Sequence, residues 1–307
     1  MSLVKYFVAT SLATLALSAL HAESRCPGNV TSSALRRIQD DLIVVRVLIN
    51  RTGPYDFLVD TGSQITTIDP VLASDLHLKI EGTAGVSGVR TQSRSAFTLL
   101  GLIEVGSHSV QHSLAVIQNI AALKAADPNI RGILGENFLA RFDLLIDNGQ
   151  QILCLDESRT LAQAVQGEHT PLEQPHGPRD DMPFTRPMIV TVRLTTADLA
   201  PVLLRLDSGS NAAVLYAAQP GLLRASVSGA PVLKRVFNGA AQAFAVLPAQ
   251  EILAGACPVR QVSFVIPMNE IGTGPIPRED GLLPTAAFKR VFISYSENYV
   301  ALDPWVR

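Results

Sequence analysis

The chain has 307 residues, of which 47% are hydrophobic and 17% charged, with a formal net charge of −2 and a pI near 6.3. That composition is globular and long enough for one large domain or two medium ones. A near-neutral balance excludes the basic patch that nucleic acid or an anionic membrane would favour as partner.

In chain order, the first residues read as an export signal over residues 1–22. Lys5 gives a positive start, Phe7 to Leu20 are apolar and uncharged, and Ala19 and Ala22 offer small cleavage positions before Glu23. Fourteen apolar residues are short for a bilayer span and fit a cleaved segment; a retained anchor is the alternative. The expected mature protein is exported, periplasmic or secreted, and free of the membrane after cleavage. Cys26 does not follow a small-residue cleavage pattern and is not read as a lipidation site. With Cys154 and Cys257 it permits one disulfide and one leftover thiol, and the sequence leaves the pairing open. Their separations match no zinc pattern, and Cys154 lies in the apolar run Gln-Ile-Leu-Cys-Leu of a buried strand.

Strand patterns dominate the chain beyond this leader. Leu42–Ile49 is rich in β-branched residues, Arg51-Thr-Gly-Pro54 reads as a turn, and Phe57–Val59 is a short strand ending at Asp60. Further strands are expected over Phe97–Val105, Ser113–Ile117, Phe142–Ile146 and Gln151–Leu155, with short helices near Pro70–Leu76 and Glu136–Arg141. Residues 157–187 hold prolines, histidines and mixed charges without apolar periodicity, and read as a linker. The expected division is one lobe over 23–156 and a second over 188–307, where the strand pattern resumes at Met188–Leu194.

The two sides of the linker repeat each other. Leu42-Ile-Val-Val-Arg-Val-Leu, a turn and Phe57-Leu-Val-Asp-Thr-Gly-Ser63 match Met188-Ile-Val-Thr-Val-Arg-Leu, a turn and Leu204-Arg-Leu-Asp-Ser-Gly-Ser210. Gly132-Ile-Leu-Gly follows Asp60 by 72 residues, and Gly281-Leu-Leu-Pro follows Asp207 by 74. Each copy closes with a strand pair, Leu144 to Asp156 and Ile293 to Asp303. Order and spacing persist together, which duplication explains.

Each copy sets an Asp at the end of an apolar strand, then a small hydroxyl residue, Gly and Ser. The strand aims the carboxylate into a partly desolvated site. Gly62 and Gly209, lacking Cβ, let two such turns approach closely. Thr61 and Ser208 can hydrogen-bond across to the opposite turn, and Ser63 and Ser210 can donate to the outer carboxylate oxygens. Two adjacent carboxylates cannot both ionise readily and share a proton.

Val59-Asp60-Thr61-Gly62-Ser63 with Gly132-Ile133-Leu134-Gly135, and Leu206-Asp207-Ser208-Gly209-Ser210 with Gly281-Leu282-Leu283, resemble the pepsin and retropepsin superfamily of aspartic peptidases, in a bacterial-type exported form. The likeness spans about residue 40 to 304 apart from the linker. It implies an all-β, two-lobed acid-protease-like barrel or sandwich fold with internal duplication and pseudo-twofold symmetry, and a cleft between lobes that takes an extended peptide or protein substrate. It implies catalytic residues Asp60 and Asp207, one acting as general base on water and the other as acid, with no metal, cofactor or covalent intermediate. Gly85-Val86-Ser87-Gly88 is the flap candidate, or else a plain surface hairpin.

Two residues depart from the pattern. Pro284 stands where the first copy has Gly135 and lacks an N–H. Arg205, where the first copy has Leu58, shares a strand face with Asp207. Its guanidinium either favours the ionised form of Asp207 or pairs with another acid. The residues are compatible with three readings: a monomeric aspartic endopeptidase, a catalytically impaired peptide-binding protein of the same fold, and a homodimer using Asp60 only. His108 and His112 lie in a hairpin context rather than a metal-binding helix, and no Gly-x-Ser-x-Gly elbow or phosphate-binding glycine loop is present.

Overall fold

The computed structural model describes residues 26–39, 41–88, 91–173, 186–194, 200–216, 230–237, 240–268 and 278–306. The export segment expected over 1–22 lies outside them, as does most of the proline-rich part of the linker. No helix among the described residues is long and apolar enough to cross a membrane.

The first lobe runs through β1 (Ser32–Ala34), β2 (Arg36–Ile38), β3 (Leu42–Ile49), β4 (Thr52–Val59), β5 (Thr66–Ile68), β6 (Gly82–Gly88), β7 (Thr91–Val105), β8 (His108–Ile117) and β9 (Ile130–Leu134). Its sheet has the order β2-β3-β4-β9-β5-β8-β7-β6, and an additional β3–β7 pairing closes the central strands on themselves as a barrel. Three short helices interrupt it: α1 (Pro70–Asp75), α2 (Ala121–Ala126) and α3 (Glu136–Leu139). The Leu42–Ile49 run is apolar almost without alternation because both its faces are covered. Ile43, Val45, Val47 and Ile49 face the main core, while Leu42 and Val44 pack with Ile38, Leu58, Ile120 and Ile130 on the other side.

β10 (Asp143–Asp147), β11 (Ile152–Asp156), α4 (Thr160–Ala164) and β12 (His169–Pro171) come next in the chain. The stretch read as a linker is therefore structured in part: Leu161 of α4 is buried, and β12 pairs with a strand at the end of the chain.

The second lobe comprises β13 (Ile189–Leu194), β14 (Val202–Asp207), β15 (Ala213–Leu215), β16 (Val232–Phe237), β17 (Ala240–Val246), β18 (Gln250–Ala254), β19 (Cys257–Val262), β20 (Phe264–Pro267) and β21 (Gly281–Pro284). Its sheet order is β16-β17-β20-β15-β21-β14-β13-β18-β19. The duplication extends to strand direction. β4 lies parallel to β9 and β5 antiparallel to it; β14 lies parallel to β21 and β15 antiparallel to it. The long β7 has two counterparts, since β17 makes the hairpin pairing and β18 the pairing with β13. Pro248 falls between them and supplies no backbone donor to a continuous ladder.

β22 (Phe288–Ser294) and β23 (Tyr299–Pro304) complete a six-stranded sheet of order β1-β11-β10-β22-β23-β12 beneath both lobes. Its centre is the antiparallel β10–β22 pair, with Leu144 opposite Ile293 and Ile146 opposite Val291. Each lobe gives one closing hairpin to this sheet, the strand pairs that the repeat led one to expect. A disulfide joins Cys26 to Cys154, leaving Cys257 as the buried free thiol. It packs with Leu145, Ile152, Leu161, Phe292 and Tyr299 on one face of the sheet.

Candidate active site

Asp60 directly follows β4 and Asp207 ends β14, so each carboxyl leaves the tip of a buried strand where the chain must turn. The Gly62 amide donates to Asp60 Oδ1 at 2.8 Å, and the Gly209 amide donates to Asp207 Oδ1 at 2.7 Å. Each turn thus supplies its own carboxylate with a backbone donor. The two carboxyls also hydrogen-bond to each other.

The glycines are required by that approach. A Cβ on Gly62 would sit 2.7 Å from Asp207 Cγ, and one on Gly209 would sit 2.4 Å from Asp60 Cγ. Each turn's glycine forms the wall against which the other lobe's carboxyl rests, and no side chain fits there.

Thr61 and Ser208 lock the turns from beneath. Thr61 Oγ1 donates to the Leu206 carbonyl at 2.9 Å and accepts from the Ser208 amide at 3.0 Å. Ser208 Oγ donates to the Val59 carbonyl at 2.7 Å and accepts from the Thr61 amide at 3.1 Å. Both residues are buried, so this reciprocal set satisfies groups that water cannot reach. Ser63 and Ser210 behave differently from expectation. Their hydroxyls donate to the Ile65 and Ala212 carbonyls, at 3.2 and 2.8 Å, rather than to the outer carboxylate oxygens. A hydroxyl at that position closes its own turn locally, and the glycine amides take over the carboxylates.

Burial pushes both aspartates above the usual carboxylate range. Asp207 is raised further, because the Asp60 charge beside it adds to the effect of burial. Asp60 is held down by the Gly62 amide, the Asp207 hydrogen bond and the Ser63 amide. The pair therefore keeps one proton over a range where isolated carboxylates have lost theirs.

Arg205 meets both of the fates the sequence left open. Its Nε lies 3.1 Å from Glu279 Oε1, and Nη2 donates to Glu279 Oε2 at 3.3 Å. It also reaches across the lobes, Nη1 donating to the Gly62 carbonyl at 3.3 Å, and its charge still lowers both aspartates. Glu279 lies 74 residues beyond Arg205 in a stretch without periodicity, so nothing in the sequence paired them.

Below the first turn, Asn137 accepts from the Thr66 amide at 2.8 Å and donates to Ser113 Oγ and the Leu114 carbonyl. Pro284 ends β21 in an extended conformation, and a short 3-10 turn over Thr285–Ala287 follows. That turn is held by the first lobe: Asn148 donates to the Thr285 carbonyl at 2.9 Å and the Phe288 carbonyl at 2.8 Å. Neither asparagine was singled out from the sequence, although Asn137 directly follows the Gly135-Glu136 of the first-copy motif.

The flap candidate lies in the β6–β7 hairpin, where Gly85 pairs with Arg94 and Gly88 with Thr91; the tip, 89–90, lies outside the described residues. Space beside Gly85 is open, with no atom within 4 Å of a Cβ placed there. β16 and β17 form a second hairpin, pairing Val232 with Ala245 through Phe237 with Ala240. Its missed signal is the Asn-Gly dipeptide between those strands. His108 opens β8 just past a hairpin turn, its ring edge-on to Phe142 at 5.2 Å.

The structure is thus a two-lobed β-protein with one Asp-Thr/Ser-Gly turn per lobe, the turns joined by reciprocal hydrogen bonds. Residues 45–138 match the family model described as aspartyl protease, a span running from within β3 into α3. Among solved structures, a retropepsin-like aspartic protease from Rickettsia conorii aligns at 18% identity and a TM-score of 0.31, over 41% of this chain and 90% of that one. No curated protein matches.

Proposed function

We propose that the protein is an aspartic endopeptidase in which Asp60 and Asp207 activate one water molecule between them. The observation that carries this reading is the contact of the two carboxyls, each braced by its own glycine amide and by the other lobe's glycine. One carboxylate of the pair serves as general base, while its protonated partner hydrogen-bonds the scissile carbonyl and then protonates the leaving nitrogen. The cleft holds an extended protein or peptide segment, bound by strand addition beneath the β6–β7 hairpin acting as a flap.

The intramolecular form is favoured because Asp207 already occupies the place that a second Asp60 would need in a homodimer. Export is proposed as well, supported by the apolar leader and by the Cys26–Cys154 disulfide, a bond that persists in oxidising compartments. The test is cleavage of a mixed peptide library from pH 3 to 7 by the mature protein and by its Asp60→Asn and Asp207→Asn variants. Loss of about 10²–10⁴-fold or more in both variants is expected. Cleavage retained in Asp207→Asn points to the homodimer, and no cleavage by folded wild type points to peptide binding.

A further inference from the structure

Beside the dyad lies a second group of buried charge that the peptidase chemistry does not use. Glu136, on α3 of the first lobe, is fully buried, and neither of its carboxyl oxygens has a hydrogen-bond partner. Arg205, on β14 of the second lobe, is about one-tenth exposed, as is its ion-pair partner Glu279. Charges on Glu136, Arg205 and Glu279 act on one another. The group also faces the phenols of Tyr216 and Tyr295 and the main chain of Arg186. Arg205 thus pairs with Glu279 in its own lobe and reaches the Gly62 turn of the other.

Arg205 is placed for two tasks. Through Nη1 it grips the carbonyl of Gly62, the residue that walls in the Asp207 carboxyl. Through its charge it favours loss of the proton that the dyad must share. The second effect works against the first, unless the guanidinium is neutralised where it sits.

We propose that Glu279 is a positioning residue that holds Arg205 against the Gly62 carbonyl while offsetting its charge, so that the guanidinium braces the turn without drawing the shared proton from the dyad. The proposal rests on the peptidase reading for its purpose, but its electrostatic content is measurable without turnover. Glu279 offsets the guanidinium as its ion-pair partner.

The experiment follows the Asp carboxyl carbons by NMR during pH titration of the full mature chain, in the wild type and in variants. In Glu279→Gln the exposed guanidinium is expected to lower the dyad's upper titration midpoint by about one pH unit. Arg205→Leu should raise it, and Arg205→Leu combined with Glu279→Leu should return it toward wild type. Arg205→Lys keeps the charge without the guanidinium fork, so the midpoint should hold while kcat for peptide cleavage falls. Thermal unfolding of each variant establishes that it is folded, and the isosteric glutamine change serves if the leucine variants are not. A midpoint unmoved in folded Glu279→Gln overturns the proposal. A midpoint that moves in Glu279→Gln while the wild type cleaves nothing overturns the peptidase reading and leaves the ion pair standing.

Discussion

Replacing Thr61 by Val removes a hydroxyl that donates to Leu206 and accepts from Ser208 across the lobes. Both orphaned groups stay buried, so a loss of about 1–3 kcal/mol is expected in the denaturant midpoint, and Thr61→Ser should restore most of it. Glu136 makes a different prediction, because its folded value of about 7 is raised from an ordinary 4.5. A carboxyl raised by folding leaves stability intact below the unfolded value and reduces it as pH rises through the folded one. Glu136→Gln should therefore be nearly neutral at pH 4 and stabilising by about 3 kcal/mol at pH 8. Urea melts at the two pH values measure this, and an equal effect at both would contradict a buried, titrating Glu136. The sequence showed both aspartates, both glycines and the cross-lobe roles of Thr61 and Ser208, because these residues sit within one turn of the reacting group. It could not show Ser63 and Ser210 closing their own turns, since a hydroxyl chooses between a carboxylate and a carbonyl by a few tenths of an ångström.

At the scale of elements, the two lobes solve one problem with different parts. The first braces its turn with Asn137 of its own α3, whereas the second, with Pro284 in that region, borrows Asn148 from the other lobe. Asn148→Ala removes a donor from two buried carbonyls, leaving Thr285 with the Phe288 amide alone. It should lower stability by about 1–3 kcal/mol and reduce cleavage through the second turn. Thermal melts beside kcat measurements test this, and a stability loss with unchanged kcat would confine Asn148 to a structural part. Strands were legible wherever β-branched runs ended at a turn, as in Leu42–Ile49 and Met188–Leu194. The second hairpin was missed because β17 is mostly alanine, which carries little strand preference, leaving the Asn-Gly dipeptide before it as the sequence signal.

The whole molecule is tied together by the six-stranded sheet below the lobes. Because β10 and β22 pair at its centre and both are buried, neither lobe closes its lower face alone. The protein is expected to unfold in a single calorimetric transition, and two resolved transitions would show independent lobes. The Cys26–Cys154 disulfide spans 128 residues and anchors the start of the described chain to β11. Its reduction should lower stability by about 2–5 kcal/mol, while alkylating Cys257 under native conditions should be slow, since that thiol is buried.

The sequence by itself determined the class of fold, the duplication and the two aspartates that the turns bring together, because those rest on local patterns that recur at a similar spacing. It left the disulfide, the partner of Arg205 and the brace beneath Pro284 undecided. Each of these joins residues far apart in the chain: 128 residues for the cysteines, 74 for Arg205 and Glu279, 137 for Asn148 and Thr285. Such pairings are set by which strands lie side by side in the finished sheets. No periodicity along the chain records that, and only the tertiary structure decided it.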